Sequence, residues 1–203
     1  MKYRYLVIIL VVLASACNQS QQSVSKTDTA IQKQVEVSNK TKADTIADTI
    51  KKIMGYSVAH NFSDSTYKDI FSINLYGKTI LSGVVVFQIF DHTHKSIFKE
   101  TYHAQDLLGD MGDVLNNRQK QDTIKKRLAD FLDTRKFISP AIDPKETFDN
   151  AYSSADNADK PEWEEIKKDK SSIGFMYNYG YEGTYGITFS KSKKKLFLFF
   201  YSD

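Results

Sequence analysis

The chain has 203 residues with 28 Lys+Arg against 25 Asp+Glu; setting aside Lys2 and Arg4, at the very start, leaves 26 against 25. That even balance gives no support to a nucleic-acid binder, whose phosphate contacts need a concentrated positive excess. Cys17 is the single cysteine, so no internal disulfide can form and the fold has to stand on its apolar core alone.

The first elements are those of an export signal. Lys2 and Arg4 precede an uninterrupted apolar run from Tyr5 to Leu13, and the small residues Ala14, Ser15 and Ala16 lead directly into Cys17. Small residues at that place let an extended segment enter a peptidase. The apolar stretch is too short for a stable membrane span, which takes about 20 residues. An ordinary secretory signal would satisfy the same physics, with Cys17 left as a free thiol.

This arrangement resembles the lipobox family of bacterial lipoprotein precursors. The resemblance implies acylation of Cys17, cleavage just before it, and a mature chain that begins at the lipidated residue. The family prefers Leu three places before the cysteine, whereas here Ala14 holds that place and Leu13 sits one step earlier. Each buried acyl methylene contributes about 0.8 kcal/mol of membrane affinity, and two chains already anchor stably. Among lipoproteins the non-acidic Asn18 after the cysteine implies retention away from the inner membrane. With no acidic cluster from Asn18 to Ser23 to imply export to the cell surface, the expected location is the outer membrane, facing the periplasm. As a whole the chain resembles small lipoproteins of Bacteroidetes-type bacteria whose folded domains have no assigned activity.

Three regions are expected: a signal over residues 1–16, a lipidated cysteine with a polar tether over 17–52, and one globular α+β domain over 53–203. The tether has no aromatic residue and is dominated by Lys, Thr, Asp, Ser and Gln, so it has too little apolar surface to fold alone. Ile46, Ile50 and Ile53 fall on one helical face and predict a short helix leading into the domain.

Within the domain, Asp69 to Tyr76 alternates, with Phe71, Ile73 and Leu75 on the face to be buried. Val84 to Phe90 is β-branched and aromatic nearly throughout, the pattern of an inner strand. The polar reversal at Asp91 to Lys95 leads into a hairpin partner, Ser96 to His103. Asp122 to Phe137 carries Ile124, Leu128, Phe131 and Leu132 on one stripe and predicts a helix. Asp143 with Pro144 reads as a helix start, and Pro161 to Ile166 as a second short helix. Strands are expected at Phe175 to Tyr181, Tyr185 to Phe189 and Lys195 to Tyr201. Strands, then helices, then strands give an α+β fold, mainly antiparallel sheet with two or three helices packed on one side.

The chemical signals are sparse. His92 and His94 have a spacing that aims two imidazoles the same way in a strand, but a catalytic zinc needs three protein ligands, and a solvated polar turn is the favoured reading of the pair. Neither a nucleophile elbow nor a phosphate-cradling glycine loop is present, and Glu162, Glu164 and Glu165 read as a solvated helix face. No cofactor is expected.

A binding surface is suggested by Tyr177, Tyr179 and Tyr181 on one strand face, extended by Tyr185; the same stripe fits the core side of a sheet. Lys191, Lys193, Lys194 and Lys195 form a basic cluster, read as a charged hairpin loop or as a contact for an anionic membrane or glycan. The expected function is a membrane-anchored envelope module, non-enzymatic, that binds an envelope protein or glycan. The second reading is an envelope hydrolase or metal-dependent enzyme whose site assembles only in three dimensions.

Overall fold

Period-two alternation builds the first half of the domain. Phe71, Ile73 and Leu75 of β2 (Asp69–Tyr76) and Val85, Phe87 and Ile89 of β3 (Val84–Phe90) are all fully buried on one sheet face. The computed structural model describes residues 51–151, 159–178 and 183–202. The signal, Cys17, nearly all of the tether, Tyr179 and Tyr181 lie outside the described residues.

β1 (Lys52–His60) precedes these strands and β4 (Ser96–His103) follows them, in a four-stranded antiparallel sheet of order β1-β2-β3-β4. Ile53, expected at the end of a helix, lies in β1 instead. Pairing of Met54 to His60 with β2 satisfies a whole row of backbone groups there, while Ile46 and Ile50 lie outside the described residues.

The chain then makes a 3-10 segment (Ala104–Asp113) and helix α1 (Asn117–Asp130). The helix expected over 122–137 is therefore shifted at both ends. Asn116 Oδ1 accepts from the backbone N–H groups of Arg118 and Gln119, and Gln119 Oε1 accepts from the Asn116 N–H in return, a capping box that starts the helix earlier. After Asp130 the chain turns; Phe131 and Leu132 stay buried, and Arg135 is exposed on a 3-10 turn, Thr134–Lys136.

β5 (Phe137–Ile138), β6 (Gly174–Asn178), β7 (Thr184–Ser190) and β8 (Lys195–Ser202) form a second antiparallel sheet in that order. Between β5 and β6 lie α2 (Phe148–Ala151) and α3 (Lys160–Lys168). Asp143 caps a turn and not a helix, its Oδ1 accepting from Lys145 N–H at 2.8 Å and its carbonyl from Glu146 N–H at 2.9 Å. The fold is thus α+β and mainly antiparallel, as expected, with its strands divided between two sheets.

The two sheets share one core. Phe175 of β6 packs against Phe71 and Phe87 of the first sheet, with ring centroids 5.2 and 5.6 Å apart, and Ile124, Leu128 and Phe131 of α1 and the turn after it join the same cluster. A second, smaller core gathers Trp163 and Ile166 of α3, Phe148 of α2, and Phe197 and Phe199 of β8. Trp163 Nε1–H donates to the Phe199 carbonyl at 3.0 Å, where a register shift interrupts the β7–β8 ladder. β8 is therefore an edge strand whose apolar residues are divided between the cores: Leu196 packs on the first, Phe197 and Phe199 on the second.

Candidate functional site

Three loops meet at one end of the molecule: the β1–β2 loop, the β3–β4 turn and the β7–β8 turn. Between them lies a recess of about 650 Å³, lined among others by Ser63, Asp64, Asp91, His92, Lys95 and Lys194. Ile97 and Phe189, half-buried against the main core, also line it.

Each loop is set by its own polar side chains. Asn61 Nδ2 donates to the carbonyls of Ser65 and Tyr67 at 3.0 and 3.1 Å, and Asp64 Oδ1 accepts from Thr66 N–H at 2.6 Å and Tyr67 N–H at 3.1 Å. Those backbone bonds hold the Asp64 carboxyl below the usual carboxylate range. Asp69, fully buried, anchors the loop's base by accepting from the Ser63 N–H and hydroxyl. In the β3–β4 turn Asp91 Oδ1 accepts from the Thr93 hydroxyl at 2.6 Å and from the Thr93 and Lys95 N–H groups, which likewise lowers its pKa. Both acids are therefore ionised at neutral pH, and both are committed to shaping the backbone.

His92 stacks on Tyr67, with centroids 4.6 Å apart and planes 18° from parallel. Tyr67 is 55% exposed, so much of this aromatic pair faces water at the edge of the recess. His94 takes the left-handed position of the turn, with φ of 64°. The two histidines thus sit in a turn and not in a strand, and of the two only His92 lines the recess. Among the described residues no group of three or more His, Cys, Asp or Glu is placed to hold a metal ion.

The lysine cluster occupies the β7–β8 turn, and most of it is engaged. Lys191 Nζ donates to Asp169 Oδ2 at 2.7 Å and to the Ser171 hydroxyl at 2.9 Å. Lys193 and Lys195 lie 3.9 and 3.8 Å from Glu162 Oε2. Glu162 is buried, at 7% exposure, so it departs from the solvated face expected for all three glutamates; the two lysines supply its counter-charge. Lys194, at φ of 52°, lines the recess together with Lys95, and neither makes an ion pair among the described residues.

The tyrosine stripe is placed differently from a surface platform where it is described. Tyr177 is 3% exposed, stacked on Phe175 and hydrogen-bonded through its hydroxyl to Glu100 at 3.0 Å. Tyr185 is half-buried and lies between Tyr177 and Tyr201, with centroids 5.5 and 5.1 Å away.

Tyr67, Ser63 and Asp64 had drawn no notice in the sequence. The available signal was Ser63-Asp64-Ser65-Thr66-Tyr67, a run of turn-forming side chains ending in one aromatic. The fold and recess define a small two-sheet α+β domain with a polar cleft at its loop end. Comparison with protein-family models, curated proteins and solved structures returned no match.

Proposed function

We propose that this protein is a lipid-anchored envelope module, non-enzymatic, that binds a glycan at its loop-end recess. The anchor reading rests on the sequence order of Lys2 and Arg4, the apolar run, Ala14-Ser15-Ala16 and Cys17. The non-acidic Asn18 and the lack of an acidic cluster up to Ser23 support the outer membrane, facing the periplasm, as the place of action.

The observation that carries the ligand class is the exposed Tyr67–His92 stack beside a recess holding hydroxyls, carboxylates and ammonium groups together. Sugars offer an apolar face of C–H groups for an aromatic ring and many hydroxyls that both donate and accept. Ser65 answers the hydroxyls in both senses, Ser63, whose proton goes to Asp69, accepts, Lys95 and Lys194 only donate, and Asp64 and Asp91 only accept. A hydrolytic reading would need a nucleophile or acid–base pair, and each recess carboxylate has its Oδ1 taken up by its own turn, which leaves Oδ2 to accept from a ligand.

Calorimetric titration of the full-length protein with peptidoglycan fragments and envelope polysaccharides tests the ligand. One of these is expected to bind saturably, and Tyr67→Ala to weaken it by about tenfold or more, the loss of about 1.5 kcal/mol or more of ring contact. Stability of that variant is expected to stay within about 0.5 kcal/mol of the parent, since an exposed ring supports little of the fold. Absence of heat with every saccharide would sink the glycan reading. Radiolabelled fatty acid incorporated into the native protein but not into Cys17→Ala tests the anchor separately.

A further inference from the structure

A second recess, of about 450 Å³, lies between the 3-10 segment Ala104–Asp113 and the last turn of α1. Its lining includes Arg127, Lys136, Phe131, Met111, Asp110 and Asp130.

Lys136 is the unusual member. It is half-buried, with Nζ 5.3 Å from the centroid of the Phe131 ring, yet among the described residues it makes no ion pair. The carboxylates whose charge it feels are already engaged, Asp130 with Lys126 at 2.6 Å and Asp133 with Arg135 at 2.6 Å. Burial pushes the Lys136 ammonium below its ordinary pKa. A partly desolvated cation with no counter-ion is a cost that a bound anion removes.

Arg127 supplies a second cation in a fixed pose. Its guanidinium donates to the Leu107 carbonyl and reaches Met111 Sδ at 3.6 Å, so the planar fork is held against the 3-10 segment. That segment turns at Gly109, whose φ of 54° and ψ of −147° belong to glycine's range and carry the backbone past the recess wall. We propose that this recess binds an oxyanion, the carboxylate or phosphate of a small ligand, held between Lys136 and Arg127. The volume is that of an ordinary small-ligand pocket, and the two cations offer the charge-assisted donors such a group takes. Asp110, on the exposed part of the lining, opposes an anion and so provides a test of sign.

The full-length protein, labelled at its methionine methyl groups, is titrated with inorganic phosphate and, separately, with benzoate while the Met111 signal is followed. A saturable shift with one of them is expected, and the probe that saturates says which oxyanion fits. Lys136→Met, which keeps the apolar stem over Phe131, is expected to weaken binding by about tenfold or more. Asp110→Asn is expected to tighten it. No saturable shift with either probe, or equal binding by Lys136→Met, overturns the proposal. Should Lys136→Met fail to fold, Asp110→Asn decides alone, and unchanged or weaker binding by that variant also overturns it.

Discussion

Asp169 illustrates how single residues hold the loop end together. Burial pushes its carboxyl up, while bonds from Lys191 Nζ, the Ser171 hydroxyl and the Ser171 N–H pull it down, and the balance lies below the ordinary value. A carboxyl with a folded pKa below its unfolded value of about 3.9 contributes stability that is complete above that pH. The contribution is lost as the pH falls through the folded value. Asp169→Asn is therefore expected to flatten the acid limb of the stability curve below about pH 4, measured by thermal melts across a pH series. An unchanged acid limb would mean that the Lys191 contact contributes nothing in solution, as many exposed pairs do. The same pair keeps Lys191, at the edge of the loop-end recess, from swinging free.

At the scale of elements, the attachment of β8 to α3 depends on side chains that are absent. A methyl group on Gly186 would meet the Phe199 ring and Met176 Sδ, each at 2.8 Å, and one on Gly174 would meet the same ring at 2.9 Å. Both glycines leave room for Phe199 to turn toward Trp163, and the Trp163 indole N–H then takes the Phe199 carbonyl. Gly186→Ala is expected to lose about 1–3 kcal/mol by overpacking, read from the denaturant midpoint. Phe199→Leu in the same chain should recover part of that loss, and a strictly additive double mutant would show that the ring is not the obstacle. Glycine's use on the face opposite the aromatics was readable from the alternation Gly174, Phe175, Met176, Tyr177. Its partner was not, because Phe199 comes from a strand more than twenty residues later, and the ladder shift that aims it is a tertiary feature.

For the whole molecule, the arrangement of cores decides how it unfolds. The main core is shared by both sheets and by α1, while the second core lies around Trp163 and is joined to it through β8. Trp163 is the only tryptophan, so its fluorescence reports the second core while far-UV circular dichroism reports the sheets. Because β8 contributes to both clusters, the two signals are expected to change at the same denaturant concentration in one cooperative transition. Separate midpoints would show that α2 and α3 come away before the sheets do.

Local pattern alone determined the strands around Phe71, Phe87, Phe175 and Phe197, the stripe of Ile124 and Leu128, and the antiparallel α+β class. Each of these is carried by the spacing of apolar side chains, which repeats along the chain wherever one face is to be buried. The export-signal pattern ending at Cys17 is also wholly a matter of sequence. Tertiary structure decided that Ile53 lies in a strand, at the bulge between Lys52 and Met54, that Glu162 is buried beneath Lys193 and Lys195, and that Tyr177 belongs to the core. It also brought Ser63, His92 and Lys194 to one recess from three loops far apart in the chain, and packed the 3-10 segment against the end of α1 so that Arg127 and Lys136 line another. Loop ends carry no periodicity, and which of them meet is set by how the two sheets pack, so these sites took form only when the main core closed.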